Sequence, residues 1–156
     1  MFDYAGHFDA ANARLKRDHH YRVFRELRRA PGQFPRAQWR GAGGAWREVT
    51  VWCSNDYLGM SQHPLVLHAA RQALAHYGAG AGGTRNISGT SDLLVALEQE
   101  LADWHAKDAA LLFSSGYVAN DTTLATLARA LPGCIVLSDA ANHASMIQGI
   151  RASRQP

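Results

Sequence analysis

Ala109-Ala110-Leu111-Leu112-Phe113-Ser114-Ser115-Gly116-Tyr117 decides the fold class. Its first five residues are apolar without alternation and too few for a helix, which suits a strand covered on both faces. Ser-Ser-Gly then makes a tight turn into a helix, with Leu124 and Leu127 on its inner side and an end near Pro132-Gly133. The pattern repeats. Cys134-Ile135-Val136-Leu137-Ser138 reads as the next buried strand, 139–143 as a loop, and the stretch from Ser145 onward as a helix. Strand, helix, strand, helix with unbroken apolar strands predicts an α/β fold: a mainly parallel sheet wrapped by helices.

Working back toward the N-terminus, Ser91 caps a long amphipathic helix with Leu94, Leu97, Leu101 and Trp104 on one stripe. Before it lies Gly78-Ala79-Gly80-Ala81-Gly82-Gly83-Thr84-Arg85-Asn86-Ile87-Ser88-Gly89-Thr90, too rich in glycine for a helix and read as a loop whose backbone approaches something closely. Pro64 opens a further helix that runs to Gly78. Residues 31–60 read as short antiparallel structure, with Gly41-Ala42-Gly43-Gly44 as its turn and Val49-Thr50-Val51-Trp52-Cys53 as a β-rich run. Residues 1–30 read as a polar, basic helical arm.

Composition narrows the function classes. The 156 residues are 47% hydrophobic and 19% charged, which excludes a disordered tail. The length suits one domain with a core of its own. No run of about 18 apolar residues is present to cross a membrane. The net charge of +3 comes from scattered arginines, and Lys16 and Lys107 are the only lysines. Scattered guanidinium groups favour anionic small molecules over nucleic acid. Cys53 and Cys134 form no CxxC pair, so buried reduced thiols in a cytoplasmic protein are expected. The eight histidines show no metal spacing. The opening residues lack the layout of a secretory signal, which agrees with the cytoplasm.

In sheets of this kind ligands bind beyond the carboxyl ends of the strands. Ser114-Ser115-Gly116 at a helix start offers N–H groups, hydroxyls and the positive dipole end to a phosphate, though an ordinary capped turn has the same residues. His143, after the second strand, can stack on a planar ring or move a proton; it can equally cap a helix. The Gly-rich loop lacks the lysine of a nucleotide-binding P-loop. It presents Thr84, Arg85 and Asn86, able to hold a carboxylate or to line a dimer interface. The four tryptophans are expected in the core or an interface.

Four stretches carry a resemblance. Thr50-Val51-Trp52-Cys53-Ser54-Asn55-Asp56-Tyr57-Leu58-Gly59-Met60 is similar to the NDYLG signature of the α-oxoamine synthases, pyridoxal-phosphate enzymes of fold type I. Residues 82–90, 113–120 and Asn142-His143-Ala144-Ser145-Met146 follow in that family's order and spacing. Gly82-Gly83-Thr84-Arg85-Asn86-Ile87-Ser88-Gly89-Thr90 resembles the branch that joins glycine to succinyl-CoA. Branches making 8-amino-7-oxononanoate, 2-amino-3-oxobutyrate or 3-ketosphinganine usually differ after the glycine pair. Tyr21-Arg22-Val23-Phe24 agrees with that branch, whereas His19-His20 departs from its usual acidic residue and glycine.

The resemblance implies a homodimeric acyltransferase of tetrapyrrole biosynthesis that binds pyridoxal 5'-phosphate and releases CoA and carbon dioxide. Residues 1–60 would be an N-terminal arm and small-domain segment, and 61–156 the start of the cofactor-binding large domain. His143 would stack on the cofactor ring, with Ser115, Gly116 and Tyr117 lining its phosphate and ring. Asn55 would hold the glycine carboxylate. Arg22, Thr84 and Asn86 would read the succinyl carboxylate, and Ser138 would face the acyl-CoA. In the family the Schiff-base lysine, the aspartate on the pyridine nitrogen and a glycine-binding arginine lie beyond the position matching Pro156. Lys16 and Lys107 do not match that lysine, so residues 1–156 alone are expected to be inactive. An unpaired strand edge and poor solubility are expected with them.

Overall fold

The structure is a computed structural model describing residues 2–155. The chain divides into two compact units, Met1–Ala79 and Gly80–Pro156.

The first unit begins with helix α1, Tyr4–Arg17, capped by Asp3, which accepts from the Gly6 N–H. The helix is shorter than expected. It stops where His19 takes a left-handed φ of 56° and the His20 and Tyr21 N–H groups turn back to the Leu15 carbonyl. No described residue of α1 is buried. Leu27, expected on the arm helix, lies instead in strand β1, Leu27–Arg28, which pairs antiparallel with β2, Arg36–Arg40. A hairpin joins β2 to β3, Trp46–Thr50, with Arg40 opposite Trp46 and Arg36 opposite Thr50. Its turn is the expected glycine run, closed by Gly41 N–H to Ala45 O at 3.1 Å. Arginine covers the tryptophans of this sheet: Arg28 lies 4.3 Å from the Trp46 ring and Arg25 5.7 Å from Trp39.

Val51, Trp52 and Cys53 run on past the end of β3, and Trp52 and Cys53 are exposed, Trp52 at 90%. The expectation of a buried Cys53 thus fails, and of the two places expected for the tryptophans the core is excluded for Trp52 and for Trp104, which is 81% exposed. In both cases the apolar side chain extends from an element whose own unit supplies nothing to cover it.

The NDYLG stretch folds on itself. Ser54 Oγ accepts from the Asp56 N–H at 3.0 Å, and the Asp56 carboxylate accepts from both the N–H and the hydroxyl of Ser61. Those bonds, the hydroxyl first, hold the Asp56 carboxyl below the usual carboxylate range. Gly59 adopts φ 67°, a conformation that explains glycine at this point of the motif. A 3₁₀ turn, Met60–Gln62, leads into α2, Pro64–Tyr77, which has proline at its first turn and Gly78 at its C-cap.

The second unit holds α3, Asp92–Trp104, α4, Gly116–Ala130, and α5, Ala144–Ser153, the first two capped by Ser91 and Ser115 as the sequence implied. Helices α4 and α5 pack through small residues. Ser145, Gly149 and Ser153, four apart, form one buried face of α5, and Ala128 is buried on α4. A Cβ on Gly149 would lie 2.7 Å from the Asp121 carbonyl oxygen and 3.0 Å from Leu124 Cβ, so the two backbones need glycine there. Leu127, expected inward, is 55% exposed, because the close contact uses Leu124 and Ala128 instead.

Residues 109–113 and 134–138 were expected as buried parallel strands, and neither is a strand. Among the described residues the one sheet is the antiparallel β1-β2-β3. An apolar run has the composition of a strand, but the strand exists only once a neighbour completes its hydrogen-bond ladder, and no described segment does so here. The expected self-contained core is also missing among the described residues. Among the described residues Ala37, Ala102 and Ala128 are the buried apolar ones.

Candidate active site

Four of the expected site residues meet where α4 and α5 begin. Ser115, the N-cap of α4, accepts from the Val118 N–H through Oγ at 3.2 Å. At Gly116 nothing lies within 4 Å of where a Cβ would stand, so a ligand could approach the backbone. The rings of Tyr117 and His143 stand edge to face, with centroids 6.2 Å apart and planes at 74°. Ser115, Gly116, Tyr117 and His143 are all exposed. A helix start with free donors, beside an exposed imidazole and a phenol, suits a flat ring that carries an anionic group.

His143 also caps α5, the second of the roles the sequence left open for it. Its Nδ1 accepts from the Ser145 N–H at 3.2 Å and lies 2.7 Å from Ser145 Oγ. Asn120, one helical turn beyond Tyr117 on α4, donates from Nδ2 to the same hydroxyl at 3.0 Å. Neither Asn120 nor Ser145 stood out as a site residue in the sequence, although both fall inside the quoted motifs. Their signal is the helical spacing Tyr117–Asn120 and the alternation His143–Ser145. Ser138, in the loop before His143, is exposed and accepts from Asn142 Nδ2 at 2.9 Å.

The Gly-rich loop is built around Arg85, which corrects the expectation that Arg85 is free to hold a ligand. Its guanidinium forks onto Glu98 of α3, at 2.5 Å to Oε1 and 2.9 Å to Oε2, and Glu98 Oε1 also accepts from the Leu112 N–H at 2.7 Å. The Arg85 guanidinium, with the Leu112 N–H behind it, draws the Glu98 carboxyl down from the ordinary 4.5 to about 2, and Glu98 in turn raises Arg85. The Thr84 carbonyl receives the N–H groups of Ile87, Ser88 and Gly89, and a side chain on Gly89 would overlap the Gly83 carbonyl. With Arg85 tied inward, the flanking Thr84 and Asn86 are exposed.

Arg22 and Asn55 belong to the first unit. Arg22 is exposed in the irregular segment after α1. Asn55 lines an open depression of about 530 Å³ together with Arg29, Cys53, Ser54, Asp56 and Ser61.

The chain belongs to the aminotransferase class I and II family, whose profile matches residues 47–156. Its relatives are more specific. The chain is 60% identical over 153 residues to an erythroid-specific, mitochondrial 5-aminolevulinate synthase of Opsanus tau, covering 97% of this chain and 26% of that protein. It is 56% identical over 151 residues to 5-aminolevulinate synthase 1 of Cereibacter sphaeroides, covering 97% of this chain and 37% of that protein. It is similar in fold to serine palmitoyltransferase from S. paucimobilis, solved with a bound PLP–myriocin aldimine: TM-score 0.77, 29% identity, 99% of this chain and 38% of that one. The chain therefore spans between about a quarter and just over a third of the curated relatives' length. The α/β fold class stands on these likenesses; the two strand segments remain without partners within the described residues. No described helix is long and apolar enough to cross a membrane.

Proposed function

We propose that residues 1–156 contribute one wall of the active site of a pyridoxal-phosphate-dependent acyltransferase that condenses glycine with succinyl-CoA to 5-aminolevulinate, CoA and carbon dioxide. The observation that carries this reading is the placement of the His143 ring beside the Ser115–Gly116–Tyr117 helix start, 6.2 Å from Tyr117. Identities of 56–60% to 5-aminolevulinate synthases, against 29% to serine palmitoyltransferase, favour the succinyl branch.

The residues fit the cofactor by their chemistry. Pyridoxal phosphate, when bound, supplies an electron sink for the carbanion at the glycine Cα. The Ser115 hydroxyl and the N–H groups opening α4 would hold its phosphate, Gly116 would let the backbone come close, and His143 and Tyr117 would flank its ring. Asn55 would hold the glycine carboxylate. Arg22, Thr84 and Asn86 would read the succinyl carboxylate, a guanidinium forking onto it and hydroxyl and amide donors completing its shell. Arg85 would act by keeping that loop in shape. Ser138 would face the acyl-CoA.

In this reading residues 1–60 are an arm and small-domain segment, residues 61–156 open the large domain, and the working protein is a homodimer. The attaching lysine is neither Lys16, whose Nζ lies 5.0 Å from the Tyr21 ring, nor Lys107, exposed just after α3. Residues 1–156 by themselves are then inactive. The free thiols Cys53 and Cys134 suit a reducing compartment, and the cytoplasm is the one proposed.

Acyl-CoA preference in the full-length protein carrying this segment tests the assignment. Turnover of glycine with succinyl-CoA, at least about tenfold above that with acetyl- or palmitoyl-CoA, is expected. Preference for palmitoyl-CoA would move the chain to another α-oxoamine synthase, and no turnover with any acyl-CoA would leave a non-catalytic partner of such an enzyme.

A further inference from the structure

We infer that Ser145 and Asn120 are positioning residues that fix the tautomer of His143, so that the imidazole offers an Nε2–H donor. The inference deepens the cofactor-site reading above, and its consequence for chemistry rests on that reading.

The argument follows proton by proton. The Ser145 backbone N–H points at His143 Nδ1 from 3.2 Å, and a backbone amide can only donate. Nδ1 therefore keeps its lone pair, and the proton of the neutral ring sits on Nε2. The Ser145 hydroxyl, 2.7 Å from the same Nδ1, has one proton and gives it there. Its lone pairs then require a donor, and Asn120 Nδ2 supplies it at 3.0 Å. The chain of donors also settles which end of the Asn120 amide faces Ser145. Every group in it has one consistent role.

Burial makes this arrangement hard to reverse. Ser145 is 0% exposed, so no water replaces either of its partners, whereas the His143 ring is exposed. The opposite tautomer would set a ring N–H against the Ser145 amide N–H, make the hydroxyl oxygen accept from both the ring and Asn120, leave the buried hydroxyl proton in need of another acceptor and remove the cap of α5. Tyr117 and Asn120 reach His143 and Ser145 from adjacent turns of α4, so the ring and its hydrogen-bond anchor are held by the same helix. Of the two tasks the sequence allowed His143, stacking on a ring or taking a proton, the network favours the first. An Nε2–H suits an anionic oxygen beside the ring, and no bare ring nitrogen remains to act as a base.

The test is long-range ¹⁵N NMR of the full-length protein with ¹⁵N-labelled histidine at alkaline pH, with His143 assigned by loss of its signals in His143→Gln. The expected wild-type pattern is a pyrrole-type Nε2 and a pyridine-type Nδ1. In Ser145→Ala, which removes one oxygen atom, the Nδ1 signal shifts and the other tautomer rises to a resolvable fraction. Asn120→Asp turns the Ser145 hydroxyl toward the new carboxylate and shifts Nδ1 in the same direction without changing size. A wild-type Nδ1–H tautomer, or unchanged His143 signals in both variants, overturns the inference. Added pyridoxal phosphate separates this inference from the reading beneath it. If the wild-type pattern is as stated but His143 does not respond to the cofactor, the positioning network stands and the cofactor site is wrong.

Discussion

Arg85 holds Glu98 through both carboxylate oxygens, at 2.5 and 2.9 Å, and so joins the Gly-rich loop to helix α3. The Leu112 N–H, bonded to Glu98 at 2.7 Å, adds the segment before Ser115 to the same node. Glu98 therefore connects the loop carrying Thr84 and Asn86 to the approach to the α4 start.

That node is sensitive to acid in a stated direction. The folded Glu98 carboxyl titrates at about 2 against an ordinary 4.5, so the unfolded chain takes up the proton first. The contribution of the pair is complete above about pH 4.5 and is lost as pH falls toward 2. Urea midpoints measured across that range should fall with pH for the wild type. Glu98→Gln should be less stable at neutral pH and lose part of that dependence. Identical slopes would show that the pair is not formed.

Gly149→Ala tests the α4–α5 contact. The added methyl gains about 1 kcal/mol of helix propensity but meets the Asp121 carbonyl and Leu124, an overpacking of about 1–3 kcal/mol. A net loss of up to about 2 kcal/mol in urea unfolding is expected. Stabilisation by the substitution would mean that the helices stand farther apart.

Thr84→Ala and Asn86→Ala probe the proposed acyl site. Each removes one donor to a carboxylate, about 1.5–3 kcal/mol, and should raise KM for succinyl-CoA in the full-length protein by about tenfold or more. KM for glycine should change little. Equal effects on both substrates would move these residues away from the acyl group.

Borohydride reduction of residues 1–156 with pyridoxal phosphate, followed by peptide mapping, checks the lysine assignment. No specific adduct on Lys16 or Lys107 is expected. A stoichiometric adduct on either would place the attaching lysine inside this segment.

How much of this could be read from the sequence depends on whether a feature is local. Ser91, Ser115, Pro64 and Gly78 mark helix ends correctly because a cap needs only its own turn. The Gly41–Gly44 hairpin is local in the same way. Residues 109–113 and 134–138 have strand composition, yet a strand is a property of two segments and neither finds a partner strand among the described residues. Arg85 looked like a ligand because its partner Glu98 lies 13 positions away on another element. His143 was legible as a site residue, but the roles of Asn120 and Ser145 depend on how α4 crosses α5, which small residues permit without announcing it.

Pyridoxal phosphate titrated into the full-length protein and its His143→Ala variant, followed by cofactor absorbance near the visible edge, tests the seat beside Ser115–Tyr117 most directly. Saturable binding that weakens about tenfold in the variant, roughly the loss of one stacked ring contact, is the expected result. Equal affinity in the two proteins would contradict the assignment of His143 to the cofactor.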